Sequence, residues 1–269
     1  MLKDLHTLTP YLDFIRTCNA DPDYRDPMLL TQQLLHRNLL DAPENPNTRV
    51  LGTFEGEAIT GVFALLVLED ERYLELLAGL SRSAAAYAEL LSHLKSAHPG
   101  YQADFVYNPR NRLLQEALAA LGAEFEPEQQ KLVLCRAVPY VPDARIVPYR
   151  PEYRAQYLAL HTVDRYWTGE KVLAAPEVFR VLLALEAGEV SGYIDLTHNS
   201  TENEPYDLFV REKSRSLGRA LLAAAVQENR PNGMTLLVDI DNEAAIALYE
   251  AQGFERADGE NNITAHICL

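Results

Sequence analysis

NEAAIALYEAQGFE, residues 242–255, opens on an asparagine and runs through alanine, isoleucine and leucine at helical spacing. It closes on Gly253-Phe254, with Tyr249 four residues before that glycine. An asparagine side chain accepts from the free N–H groups of a first helical turn, and a glycine ends the last turn. The stretch therefore predicts a capped amphipathic helix. TLLVDID, just before it, reads as a strand. A tyrosine near the end of such a helix calls for a reason.

The same grammar occurs twice along the chain. RVLGTFEGEAITGVFALLVLE (residues 49–69) and RVLLALEAGEVSGYIDLTHN (residues 180–199) each read as two strands, turning at Glu55-Gly56 and Ala187-Gly188. Each is followed by a short apolar strand, an Ala/Leu-rich helix, another strand, and a helix opening on Asn111 or Asn242. Gly61 to Gly122 spans 61 residues, and so does Gly192 to Gly253, which marks the two halves as copies of one pattern. Pro139, Pro142, Pro148 and Pro151 mark an exposed connector between them. The pattern predicts an α+β chain of two tandem domains, 1–137 and 144–269. Each should hold a mixed, mostly antiparallel sheet flanked by helices. In the second, PEYRAQYLALHTVDRY sets Tyr153, Tyr157, Leu160 and His161 on one helical stripe.

After the strand expected at 206–210 comes REKSRSLGRALLAAAVQ. Within it, Arg215, Ser216, Leu217, Gly218, Arg219 and Ala220 make a tight turn that feeds straight into a helix. Gly218 has no Cβ, so backbone can approach a ligand there, and Ala220 keeps the first turn small. The unpaired N–H groups of that turn and the positive end of the helix dipole form an anion site. Arg211, Lys213, Arg215 and Arg219 crowd around it against Glu212 alone, reversing the sign of a chain whose net charge is −15. A capped surface helix with incidental basic residues would explain the loop taken alone. It is neither G-x-x-x-x-G-K nor G-x-G-x-x-G.

VREKSRSLGRALL and NEAAIALYEAQGF, with Arg215 and Asn242 27 residues apart, together resemble the signatures of the GNAT superfamily, the acetyl-CoA-dependent N-acyltransferases. The resemblance covers roughly residues 144–269. Residues 1–137 share only the order of strands and helices, so the whole would be a tandem GNAT with a degenerate N-terminal copy. The resemblance implies that strands 206–210 and 235–240 splay apart around the acyl-pantetheine arm. It also implies that the backbone of Phe209 and Val210 bonds the pantetheine amides and polarises the thioester carbonyl, stabilising the developing oxyanion. The backbone of Arg215, Ser216, Leu217, Gly218, Arg219 and Ala220 would take the pyrophosphate, and Asn242 would reach the pantetheine arm, cap its helix, or both.

Tyr249 then has its reason. A phenol is protonated at neutral pH and can give its proton to the departing thiolate. Packing on the apolar face with Ala245 and Ile246 is the alternative role. Carboxylates on the strand before the loop are the usual bases of this family, which points to Asp207, with Glu202, Glu204 and Asp195 close in sequence. Which strand face Asp207 occupies stays open, as does relay by water.

The first half departs from the family at each functional position. AGLSRSAAAYAELL has no glycine after Ser81 and only Arg82 as a cation, and Leu118 stands where Tyr249 does. One acetyl-CoA site per chain is therefore expected, with residues 1–137 shaping the acceptor groove as a built-in partner. The chain would act as a monomeric pseudo-dimer or a homodimer. The acceptor is expected near VDRYWTGEK, where Trp167, Tyr166 and Asp164 offer aromatic faces and a carboxylate to an amine. An anchored loop is the alternative there.

With 39 acidic and 24 basic residues, the chain repels a phosphate backbone. That excludes general nucleic-acid binding and disfavours the aminoacyl-tRNA-dependent transferases of the same tandem architecture. A non-catalytic acyl-CoA sensor or scaffold is a further alternative, against which the retention of both Tyr249 and the loop argues. No run approaches about 18 apolar residues, so no membrane span is expected. The first residues are interrupted by Asp4, His6 and Asp13, and three cysteines are scattered, which fits a cytoplasmic protein. His93 and His98 form the closest histidine pair without an acidic neighbour in register, so no metal is expected. The resulting reading is an N-acyltransferase that moves an acetyl group from acetyl-CoA to a primary amine of a small molecule or peptide.

Overall fold

The structure is a computed structural model and describes residues 1–161, 167–211 and 215–269, with Arg215 by its backbone alone. β1 (Leu2–Asp4) precedes α1 (Leu12–Asn19) and α2 (Gln32–Leu35). The meander β2 (Thr48–Glu55), β3 (Ala58–Leu68) and β4 (Tyr73–Ser81) leads to α3 (Ala84–Ala97), β5 (Gln102–Tyr107) and α4 (Arg112–Ala120). β6 (Glu124–Phe125), β7 (Gln129–Leu134) and β8 (Ile146–Pro148) follow, then α5 (Arg154–Leu158) and α6 (Gly169–Ala174). A second meander holds β9 (Phe179–Glu186), β10 (Glu189–Thr197), β11 (Glu202–Asn203) and β12 (Pro205–Val210). The chain closes with α7 (Arg215–Asn229), β13 (Gly233–Asp239), α8 (Glu243–Ala251), β14 (Phe254–Arg256) and β15 (Ile263–Cys268).

These elements form two compact units, Met1–Gln130 with Asp258–Leu269, and Lys131–Ala257. The division differs from the one expected at 137 and 144. β15 lies in the first unit's sheet, between β5 and β6, and β7 lies in a sheet of the second, between β13 and β14. The two-residue period of a strand tells which face it buries but not which strand it pairs with. Such an exchange therefore leaves no mark in the local pattern.

The first unit has one seven-stranded sheet, β1-β2-β3-β4-β5-β15-β6, in which β4 and β5 run parallel. Alternation along β3 sends Phe63 and Leu65 into a core with α3 and α4, and Val62 and Ala64 into a second core with Ile15 of α1. β4 and β5 pair from Tyr73–Gln102 to Leu76–Phe105, then part. Two side chains reach into the opening: Asp26 Oδ2 accepts from Gly79 N at 2.6 Å, and Tyr87 donates its hydroxyl to Ser81 O at 3.1 Å.

The second unit has two four-stranded sheets, β12-β10-β9-β8 and β11-β13-β7-β14. Leu217, Leu221, Leu222 and Ala225 of α7 pack on Ile194, Leu196, Met234 and Leu236. On the other face of β9 and β10, Tyr157, Val181, Leu183 and Tyr193 form a separate aromatic-rich core. The matched glycines that end α4 and α8 do the same backbone work: Gly122 has φ +81° and Gly253 φ +96°, a region that side chains rarely adopt. At Gly253 a Cβ would also run into the Arg136 carbonyl.

Candidate active site

β11 runs parallel to β13, with Glu202 opposite Gly233 and Asn203 opposite Met234. One residue later the chain turns away to pair with β10 as β12, so β12 and β13 part like the arms of a fork. Arg211 N donates to Ser191 O at 2.8 Å. Antiparallel ladders alternate every second residue, so the Phe209 N–H also turns toward β10, while those of Leu208 and Val210 turn toward the opening. The Phe209 N–H, expected to bond the pantetheine, therefore turns away from the opening, and the Val210 N–H turns toward it. Among the described residues no side chain answers the Leu208 or Val210 N–H.

α7 begins beside the fork. Leu217 is fully buried in the core, so it anchors the helix and leaves only its backbone to a ligand. Gly218 is buried too, but among the described residues a Cβ there would meet only Leu248 Cδ2 at 3.7 Å and Val210 Cγ2 at 3.8 Å, ordinary contacts. Packing against the described residues therefore does not demand a glycine at this position. Ser216 and Arg219 are exposed and Ala220 is half-buried. Of the four basic residues, Arg211 and Arg219 are described, both exposed and neither ion-paired among the described residues. Lys213 and the Arg215 side chain lie outside them.

α8 packs through Ile246 in the same core as Leu217 and Leu221 of α7. Asn242 Oδ1 caps it, accepting from Ala245 N at 3.1 Å. Tyr249 is half-buried, edge-on to Phe254 with ring centroids 5.7 Å apart, and its hydroxyl has no hydrogen-bond partner among the described residues. Burial pushes its pKa up to about 12, helped by the negative charges of Asp207 and Glu204. The phenol therefore holds its proton at neutral pH.

Asp207 stands opposite Asp195 in the β10–β12 ladder, and Phe209 opposite Tyr193. The two aspartates share the face toward α5, which settles the orientation the sequence left open. Tyr193 donates to Asp207 Oδ2 at 2.6 Å, and Tyr157 to Asp195 Oδ1 at 2.9 Å. His161 stacks on Tyr193 at 4.2 Å, with Nε2 3.3 Å from Asp195 Oδ2 but off the line a hydrogen bond needs. Asp195 is fully buried, and burial raises its pKa while His161 and Tyr157 pull it back. His161, Asp195 and Asp207 set ligand-type atoms within 4.8 Å of one another. Spacing-based reading, confined to sequence neighbours, missed this group. Its one trace was the Tyr157 and His161 stripe.

Trp167 packs edge-on against Phe179 at 4.9 Å, and Phe179 against Tyr206 at 5.8 Å, so the tryptophan joins the aromatic core. Tyr166 and Asp164 lie outside the described residues. A surface hollow of about 510 Å³, lined by Lys3, Asp4, Glu89 and His93, lies in the first unit and carries none of these features. No described helix is long and apolar enough to cross a membrane.

Residues 146–254 match the family model described as Acetyltransferase (GNAT) family. No curated protein matches the chain. Among solved structures, a GCN5-related N-acetyltransferase from Sphaerobacter thermophilus aligns with TM-score 0.65 at 13% identity, over 100% of this chain and 95% of that one. An acetyltransferase from the GNAT family from Colwellia psychrerythraea aligns with TM-score 0.53 at 11% identity, over 100% of both chains. A tandem GNAT protein from the clavulanic acid biosynthesis pathway gives TM-score 0.53 at 15% identity, over 100% of this chain and 98% of that one. At such identities the likeness is one of fold, and it spans both halves: the chain has the tandem GNAT fold.

Proposed function

We propose that the chain, whose residues 146–254 match the Acetyltransferase (GNAT) family model, transfers an acetyl group from acetyl-CoA to a primary amine. The acceptor is a small molecule or peptide, and its nitrogen attacks the thioester directly in a ternary complex. One observation carries the reading. Among the described residues, the fork combines N–H groups at Leu208 and Val210 that no side chain answers, a glycine at the start of α7 that packing does not require, and a Tyr249 phenol without a hydrogen-bond partner.

When bound, acetyl-CoA supplies the activated acyl group. The free N–H groups of α7, over Arg215, Ser216, Leu217, Gly218, Arg219 and Ala220, hold the pyrophosphate with the positive end of the helix dipole. Val210 and Leu208 bond the pantetheine arm and steady the oxyanion. Tyr249, loaded with its proton, gives it to the departing thiolate. Asp207, fixed by Tyr193, draws the acceptor's ammonium toward the fork. Trp167 contributes by walling the acceptor side, and the first unit adds no second cofactor site.

Calorimetry should find one acetyl-CoA site per chain. Tyr249→Phe keeps the ring on Phe254, so acetyl-CoA affinity should hold while kcat falls about 10²–10³-fold, the span expected for loss of a general acid. The fall should shrink for acyl donors whose leaving thiol has a low pKa. Wild-type kcat in this mutant would return Tyr249 to a packing role.

A further inference from the structure

His161 follows α5, and Asp195 and Asp207 stand opposite each other in the β10–β12 ladder. Folding brings the three together from separate stretches of sequence, with one ligand-type atom of each within 4.8 Å of the others. The expectation of no metal rested on histidine spacing along the chain, which such a group does not enter. Two carboxylates alone would say little, but the histidine adds a second observation. Its side chain is 9% exposed, and Nε2 has no hydrogen-bond partner among the described residues. That nitrogen sits 3.3 Å from Asp195 Oδ2, yet off the line along which an N–H would be donated. A buried polar nitrogen without a partner is costly. A neutral imidazole presents a lone pair there instead, and a lone pair among carboxylate oxygens is answered by a cation.

The surroundings are those of a ligand shell. Tyr157 donates across both oxygens of Asp195, at 2.9 and 3.0 Å, and Tyr193 holds Asp207 Oδ2 at 2.6 Å. The imidazole stacks on Tyr193 at 4.2 Å and meets Tyr157 edge-on at 4.6 Å. Hydrogen-bonded carboxylates and a fixed imidazole ring are how proteins orient the ligands of a metal ion. Asp195 is fully buried, whereas Asp207 is half-buried and is the more accessible of the two.

We propose that His161, Asp195 and Asp207 bind one divalent transition-metal ion, with Zn²⁺ the best fit. One imidazole and two carboxylates suit Zn²⁺ better than Mg²⁺ or Ca²⁺, which take oxygen ligands. Zn²⁺ bonds of about 2.0–2.2 Å place ligand atoms no more than about 4.4 Å apart, so the three need close by only a few tenths of an ångström. Three protein ligands leave a fourth position to water. The ion offsets the charge of two carboxylates that the fold sets side by side. Binding of the ion does not depend on the acyltransferase reading, but its effect on the reaction rests on it. Asp207 is there the group that draws the acceptor's ammonium. Ion and ammonium therefore compete for one carboxylate, and Zn²⁺ inhibits competitively with the amine.

The test is calorimetry of the full chain, stripped of metal with a chelator and titrated with Zn²⁺ alone. The wild type should bind one equivalent. His161→Phe keeps a ring on Tyr193 but removes the nitrogen, and Asp207→Asn weakens a ligand that is only half-buried. Each should weaken Zn²⁺ binding at least about 100-fold, and Tyr193→Phe, which takes the hydroxyl from Asp207, about 10-fold. If His161→Phe does not fold, Asp207→Asn decides. With acetyl-CoA and an alkylamine, Zn²⁺ should raise KM for the amine and leave KM for acetyl-CoA unchanged, and His161→Phe should lose that sensitivity. A wild-type chain that binds no Zn²⁺, or wild-type affinity in both ligand variants, overturns the site. Zn²⁺ held through these residues by a chain that transfers no acetyl group upholds the site and overturns the acyltransferase reading instead.

Discussion

Each unit contains two parallel strands that start together and part, and the two forks differ in what fills them. In the first, Gly79 N–H meets Asp26, and Tyr87, the fourth residue of α3, is fully buried with its hydroxyl between Ser81 O and Asn111 Nδ2. Asn108 Nδ2 donates to Pro22 O at 2.8 Å and Arg82 pairs with Asp21 at 2.9 Å, which ties down the segment that carries Asp26. In the second, the fourth residue of α7 is Gly218, and the N–H groups of Leu208 and Val210 have no side-chain partner among the described residues. Buried backbone donors must be answered by something. In one fork Asp26 answers the Gly79 N–H and Tyr87 fills the space, while among the described residues the other has neither such a carboxylate nor a side chain at the fourth helix position.

That contrast breaks most sharply at Gly218. Gly218→Tyr would copy Tyr87 into the open fork and should abolish acetyl-CoA binding, a loss of at least about 100-fold by calorimetry, or about 2.7 kcal/mol. Normal binding in that mutant would mean that the two forks are not equivalent places.

Asp26 sharpens it next. Burial, opposed by its two backbone hydrogen bonds, lifts the Asp26 pKa from 3.8 to about 7. Between those values the folded chain holds a proton that the unfolded chain has released, so stability falls as pH rises from about 4 to 7. The ceiling of that loss is about 4 kcal/mol, at roughly 1.4 kcal/mol per unit. Asp26→Asn should flatten that slope in urea unfolding measured across the window. An unchanged slope would mean that Asp26 is ionised in the plugged fork.

The smallest effect separates the two capping asparagines. Asn111→Ala and Asn242→Ala each remove an N-cap, at about 1 kcal/mol. Asn111 also donates to Tyr87 within the core, so its loss should cost about 1 kcal/mol more in unfolding free energy. Equal costs would count against Asn111 as part of the plug.

Much of this was legible because it is local. Caps, terminal glycines and helical stripes act over four residues or fewer, and they fixed α4 and α8 and the repeat between them. The plug was not legible, since Tyr87 in AAAYAELL reads as any residue on an apolar face, and Asp26 meets Gly79 across 53 positions. Alternation along β12 was visible in sequence, but its phase was not. Only the pairing with β10 reveals that Asp207 faces Tyr193 and that Leu208, not Phe209, turns its N–H to the fork. Trp167, read as a ligand contact, is held by Phe179, which arrives from another strand.

The exchange of β7 and β15 has a consequence in time. Synthesis proceeds at roughly 5–20 residues per second, so about 7–28 s separate the end of residue 130 from the arrival of β15. Over that interval β5 waits with one edge unpaired, since its register from Gln102 to Tyr107 is filled only by residues Ile263–Cys268. An open strand edge recruits other strands. A truncation that removes residues 258–269 would expose β5 and unfold the unit at the opposite end of the sequence, leaving the strands of the fork between β12 and β13 intact.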